Sequence, residues 1–144
     1  MLSEQLYDTD VVLWSERQAE LLRRVAAGER INDQIDWENV VEEIESVGRN
    51  ELREVESLLV QALAHMLKAE AWPLSRDAAH WHAEARRFRG DAAARFTPAM
   101  RQRLDISRIW RRALRAVPDV VDGQGPLHIP AACPVTLDEL LSED

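Results

Sequence analysis

The longest helix-periodic run of apolar residues in the chain extends from Asp36 to Ala69. Apolar residues recur there every three or four positions, as they do on one face of a helix that turns about 100° per residue. The members of this face are Trp37, Val40, Val41, Ile44, Gly48, Leu52, Val55, Leu58, Leu59, Ala62 and Met66. No proline interrupts the run, and Asp36 is suited to cap its first free amides. The pattern predicts one helix of roughly 50 Å, unless Gly48 divides it in two.

Capping residues and helix breakers divide the rest of the chain. Three more helices are predicted. The first is capped by Asp8 or Asp10 and runs to about Ala27, with Gly28 placed to end it, and the others cover about residues 75–95 and 97–117, opened by a Ser and a Thr that can cap free amides. Glycines and prolines predict an extended strap over residues 118–136, and a capping box opens a short helix at 137–142. The predicted fold is therefore all-α, a mostly antiparallel bundle of about four helices around one long central helix.

The apolar faces of these helices also predict the core. Its members are Trp14, Leu21, Trp37, Ile44, Val55, Leu59, Ala62, Trp81, Phe88, Trp110 and Leu114. Val12 and Leu13 point away from the apolar face of the first helix. They are either scattered surface residues, which are normal in a soluble protein, or part of an oligomer contact.

The length of 144 residues predicts a single domain over residues 1–144 with a real hydrophobic core. The single cysteine, Cys133, excludes an internal disulfide and any metal site built from several cysteines. No apolar run approaches the roughly 18 residues that a membrane span needs, and the N-terminus lacks the pattern of a signal peptide. A cytoplasmic location is the expectation.

The formal net charge of −8 argues against nucleic acid as a bulk partner. The charge is nevertheless segregated, with a net +7 over residues 76–115 from 11 basic and 4 acidic side chains. Five arginines form a stripe opposite the apolar face of the helix that is predicted to end at Val117: Arg101, Arg108, Arg111, Arg112 and Arg115. Such a stripe can bind phosphates or an anionic surface. Alternatively, it packs against the acidic long helix or the acidic C-terminal tail.

Glu51 is the one acid of the long helix whose angular position falls within the apolar face. A buried carboxylate is costly unless it is paired, so Glu51 is predicted either to bind an arginine such as Arg86 or Arg87 or to act as a functional acid or ligand. Glu45 lies at the edge of the same face and could share an ion with Glu51 only if Gly48 kinks the helix.

The histidines offer weaker candidates for chemistry. His65 lies at the edge of the apolar face, about 21 Å from Glu51 along the helix axis, and is predicted to be a hydrogen-bonded structural residue. His80 and His82 are two positions apart and point in nearly opposite directions on a helix, so they do not form a chelating pair. Either one could complete a carboxylate metal site only through tertiary packing.

No phosphate-binding loop, nucleophile elbow, H-E-x-x-H or paired C-x-x-C motif occurs in the chain, so no cofactor and no metal are predicted. The biochemical function remains unknown from the residues. The preferred hypothesis is a non-catalytic helical protein-interaction or regulatory module with a protein partner or a second copy of itself. The alternatives are an anion or nucleic-acid binder acting through the arginine stripe, and a carboxylate-based metal-dependent enzyme centred on Glu51.

Several fragments of the chain together carry a family resemblance. They are Tyr7-Asp8-x-Asp10 with Trp14, Asp36-x-Glu38-Asn39-x-x-Glu42-Glu43-Ile44-Glu45-Ser46-x-Gly48 with Glu51, His65-x-Leu67-Lys68, and Cys133-Pro134-x-Thr136-Leu137. In this order they resemble the bacterial family known as domain of unknown function twenty-nine. The resemblance covers essentially the whole chain, and it is poorest over residues 69–96. It implies an all-helical fold and no assigned activity.

Overall fold

The computed structural model describes residues 3–142, and within that range the regular structure is helical apart from one isolated β-bridge between Val121 and Gln124. This confirms the all-α prediction. The α-helices are α1 (Ser3–Thr9), α2 (Val11–Ala26), α3 (Trp37–Ala71), α4 (Ala78–Arg95), α5 (Ile106–Ala116) and α6 (Leu137–Leu141). None of the helices in the described range has both the length and the apolar character needed to cross a membrane.

The long helix α3 is continuous over 35 residues and passes through Gly48 without a break. A Cβ atom added at Gly48 would meet nothing within 4 Å, so this glycine does not serve a close contact. At about 1.5 Å per residue, α3 is roughly 50 Å long. The chain forms two compact units, Met1–Arg49 and Asn50–Asp144, which are called the N-terminal and C-terminal units below.

The N-terminal unit contains α1, α2 and the first turns of α3. Asp10 caps α2, and its carboxylate accepts a hydrogen bond of 3.1 Å from the Leu13 amide. Gly28 follows the end of α2 with a φ of 102°, a left-handed conformation in which a side chain would be strained. The small core of this unit is formed by Trp14, Leu21, Ile35 and Val40.

The C-terminal unit packs α4, α5 and α6 around the remainder of α3. Leu59, Leu63 and Ile109 are among its largest fully buried side chains, and Leu140 anchors α6 in the same core. Arg89 ties the end of the chain to α4, because its guanidinium donates hydrogen bonds of 2.9–3.0 Å to the carbonyl oxygens of Glu139, Leu140 and Ser142. The Thr136 hydroxyl caps α6 by accepting from the Glu139 amide, as the capping box predicts.

The predicted start of the helix over residues 97–117 is wrong. Residues Pro98–Met100 form only a short 3₁₀ turn, and α5 begins at Ile106. The Asp105 carboxylate accepts hydrogen bonds from the amides of Ser107 and Arg108, whereas Thr97 makes no side-chain cap. Asp105 is therefore the residue that satisfies the free amides at the start of this helix.

The core prediction is wrong for two residues, which are not buried and which both lie in the N-terminal part of α3. Trp37 is 46% exposed and Ile44 is 68% exposed. Leu114 is partly buried, and the other eight predicted core residues are buried. The apolar face of α3 is thus covered over its C-terminal turns, where Val55, Leu59 and Ala62 are fully buried, and largely uncovered near its beginning, where only Val40 is buried.

Candidate functional site

Glu51 does not point into a core. Its side chain is exposed, and it forms no ion pair with any residue in the described range. Arg87, which was a predicted partner, instead pairs with Glu84 at 2.7 Å on its own helix, and Arg86 is exposed. The prediction of a buried, paired Glu51 is wrong because no helix covers α3 at this position.

Glu45 is also exposed, and its carboxylate lies 4.0 Å from Arg49. Because α3 is continuous through Gly48, about 9 Å of helix axis separates Glu45 from Glu51. The helix has no interruption there that would bring the two carboxylates together. Within residues 3–142, no group of three or more His, Cys, Asp or Glu side chains is arranged to hold a metal ion.

His65 is half-buried between α3 and α4, and its ring stacks on Phe88 with centroids 5.5 Å apart and planes 4° apart. Its Nδ1 atom is buried and has no hydrogen-bond partner in the described part of the chain, so the predicted hydrogen bond is not seen at that atom. Burial lowers the pKa of His65, the nearby Lys68 lowers it further, and Glu84 opposes the shift. His80 and His82 are both exposed on α4.

The arginine stripe is largely engaged by acids of the same unit. Arg108 and Arg112 both lie 3.3 Å from the carboxylate of Glu56, whose side chain is only 14% exposed. Arg101 pairs with Asp138 at 2.5 Å. Arg111 and Arg115 are exposed and form no ion pair among the described residues. The stripe therefore stabilises the packing of α5 against α3 and of the chain end, and only part of it faces solvent unpaired.

A second surface is more unusual. Four apolar side chains lie exposed along the first turns of α3, and they are called the open stripe: Trp37, Val41, Ile44 and Val47, which are 46%, 49%, 68% and 67% exposed. Trp37 is held by a hydrogen bond of 2.8 Å from its Nε1 to the Asn32 carbonyl oxygen, which leaves much of its ring in solvent. Apolar side chains clustered in this way on a surface are typical of protein contact sites.

A polar network fixes the helix that carries the open stripe. The buried Asp36 carboxylate accepts hydrogen bonds of 2.9 Å from Trp14 Nε1 and 2.8 Å from Asn39 Nδ2, and the Asp36 amide donates to Gln18 Oε1 at 2.8 Å. On the next turn of α3, the Tyr7 hydroxyl donates a 2.5 Å hydrogen bond to Glu43. These contacts hold α1 and α2 against one side of α3, so the other side remains open.

The sequence assigned Trp37 and Ile44 to the core, and so it missed the open stripe. The available signal was Glu51, because an unpaired acid in the middle of an apolar face indicates that the face is not covered there. Val12 and Leu13 are exposed as predicted, at 65% and 49%.

The model of the family described as "Domain of unknown function DUF29" matches residues 6–144. The chain belongs to the DUF29 family. Its fold is similar to the crystal structure of an α-helical protein of unknown function from Rhodospirillum rubrum, with 32% sequence identity and a TM-score of 0.66 over 96% of this chain and 90% of the other. No functionally curated protein matches this chain. The family resemblance inferred from the signature residues is therefore confirmed, and neither finding assigns an activity to this DUF29 chain.

Several residues of the DUF29 resemblance coincide with the polar network described above. Tyr7, Trp14, Asp36, Asn39 and Glu43 all belong to that network, and each makes a hydrogen bond between or within α1, α2 and α3. Their geometry accounts for them as the residues that hold the N-terminal unit together.

Proposed function

We propose that this DUF29 chain is a non-catalytic protein-interaction module, and that the open stripe of α3 is its interface. The observation that carries the proposal is the change in burial along one helix face. Val55, Leu59 and Ala62 are fully buried on this face, whereas Val41 and Ile44 are 49% and 68% exposed. The face is apolar over most of its length, and of its members in the first turns of α3 only Val40 is buried.

The free energy available at such a surface is considerable. Covering a Val or Ile side chain completely contributes about 1.5–3 kcal/mol, so further burial of the three aliphatic residues of the open stripe would favour a complex. Trp37 supplies an aromatic side chain of the kind that often dominates binding energy at an interface. The residues follow helical spacing, as in complexes where one helix packs into the groove of another protein.

The polar network supports this role because it removes flexibility before binding. Asp36 and Glu43 are fixed by hydrogen bonds to Trp14 and Tyr7, so the first turns of α3 do not have to be ordered by the partner. An interface that is already rigid loses less conformational entropy when the complex forms.

The two alternative functions have less support. An enzyme centred on Glu51 lacks the buried acid on which that hypothesis depended. For anion binding, the cleft beside Arg108 and Arg112 already contains the carboxylate of Glu56, which would repel a phosphate. We also propose that the protein is bacterial and cytoplasmic. The similar structure from Rhodospirillum rubrum supports the bacterial source, and the single cysteine, Cys133, which is free, supports the cytoplasmic location.

The proposal is tested by placing a photo-crosslinking amino acid at position 44 in the full chain, expressed in its source organism. We expect a discrete crosslinked product from Ile44 and none from the control position Gln61, which is exposed on the same helix outside the open stripe. A second substitution, Val41→Ser, should reduce the yield from position 44. Equal yields from positions 44 and 61, or no adduct from either, would refute the proposal.

A further inference from the structure

We propose that the occupant of the open stripe is an amphipathic helix of another protein, whose apolar face is flanked by lysine or arginine side chains. This inference rests on the proposed function and adds the chemistry of the partner. It is carried by the charges that surround the stripe.

Acidic side chains border the open stripe along one edge. Glu38 and Glu45 are seven residues apart, so they lie within about 20° of each other on the helix surface, and both are exposed. These two carboxylates are called the acidic edge below.

Few ion pairs within the N-terminal unit balance the acidic edge. Glu38 forms no ion pair among the residues that the structure describes. The only basic residue in the first turns of α3 is Arg49, which lies 4.0 Å from Glu45 and 2.6 Å from Glu42. A partner that places Lys or Arg beside the acidic edge would therefore gain complementary charge pairs and would associate faster.

The same charges disfavour a second copy of this chain as the occupant. Residues 1–49 carry 12 acidic and 5 basic side chains, which gives the N-terminal unit a net charge of −7. An antiparallel two-fold pairing of α3 helices would set Glu38 and Glu45 of one copy beside the same residues of the other. Like charges brought together in this way oppose association.

The length of the surface sets the length of the partner helix. Trp37 and Val47 are ten positions apart, which corresponds to about 15 Å and roughly three helical turns. A partner segment of about 10–12 residues would match this length, with apolar side chains at successive i, i+3, i+4 and i+7 positions.

Fluorescence anisotropy with labelled synthetic helical peptides tests this inference on the full chain. The first probe carries leucines at helical spacing with flanking lysines, the second replaces those lysines by glutamates, and the third replaces the leucines by serines. We expect the lysine probe to bind at least about tenfold more tightly than the other two, and more weakly as salt is added. The double variant Glu38→Gln/Glu45→Gln should bind the lysine probe about fivefold more weakly than the parent chain does. The matched charge change Glu70→Gln, at an exposed site elsewhere on α3, should have no effect.

The variant Ile44→Ser separates failure of this inference from failure of the proposed function. If the glutamate probe binds as tightly as the lysine probe and both are lost in Ile44→Ser, the interface stands and the basic partner is refuted. If no probe depends on Ile44, both proposals are refuted. Sedimentation that shows a dimer lost in Ile44→Ser would assign the open stripe to a second copy and would overturn the basic partner.

Discussion

Alanine substitution at two positions of the same helix face should have very different effects on stability. Leu59→Ala removes a fully buried side chain from the core of the C-terminal unit, and such changes cost about 2–5 kcal/mol of the free energy of unfolding. Ile44 is 68% exposed, so only about a third of its side chain is covered. Because complete burial of Ile is worth about 1.5–3 kcal/mol, the covered third contributes about 0.5–1 kcal/mol.

Helix propensity reduces the effect at Ile44 further. Alanine is the better helix former by a few tenths of a kcal/mol, which offsets part of the lost burial. The free energy of unfolding of Ile44→Ala should therefore stay within about 0.5 kcal/mol of the parent value. A matched control in the same unit is Leu21→Ala, whose side chain is 4% exposed and which should cost about 2–5 kcal/mol.

The measurement is urea unfolding at low protein concentration, followed by far-ultraviolet circular dichroism and by tryptophan fluorescence. Two probes are needed because the two units can unfold in separate transitions. A loss of more than about 1.5 kcal/mol in Ile44→Ala would show that Ile44 is buried within the monomer. That result would remove the basis of the proposed interface.

The polar network and the chain end give three further predictions. Tyr7 is the only tyrosine in the chain, so the ultraviolet absorbance of tyrosinate reports it alone. The hydrogen bond to Glu43 raises the pKa of Tyr7 to about 12, and Glu43→Gln should return the titration midpoint toward 10. The folded chain holds the Tyr7 proton more tightly than the unfolded chain does. The stability contributed by the Tyr7–Glu43 hydrogen bond is therefore complete below pH 10 and is lost as the pH rises through 12. A free energy of unfolding that stays constant over that range would contradict the assignment. Asp36→Ala should cost about 1–3 kcal/mol in urea unfolding because it leaves Trp14 Nε1 buried and unpaired, and an unchanged midpoint would argue against the network. Arg89→Ala should accelerate amide hydrogen exchange in α6 and leave exchange in α2 unchanged. Equal exchange in α6 of parent and variant would mean that the three carbonyl contacts do not hold the chain end.

The sequence determined the features that depend on neighbouring residues. Gly28 and Thr136 mark helix ends as predicted, and Asp10 is one of the two caps that the sequence allowed for α2, because caps and left-handed glycines act within one turn of the chain. The unbroken α3 follows from an apolar period that persists without a proline. The DUF29 signature was also legible, because its residues stand at fixed spacings along the chain.

Only the tertiary structure decided which part of the α3 face is covered. Periodicity places Ile44 and Leu59 on the same face with equal force, yet one is 68% exposed and the other is fully buried. The sequence likewise could not decide whether Glu51, Arg108 and Arg112 form ion pairs. Whether a charged side chain is paired depends on residues that are near it in space and distant in sequence. Burial and ion pairing arise between elements that are distant in sequence, and a helical pattern records the face of a helix but not the element that packs against it.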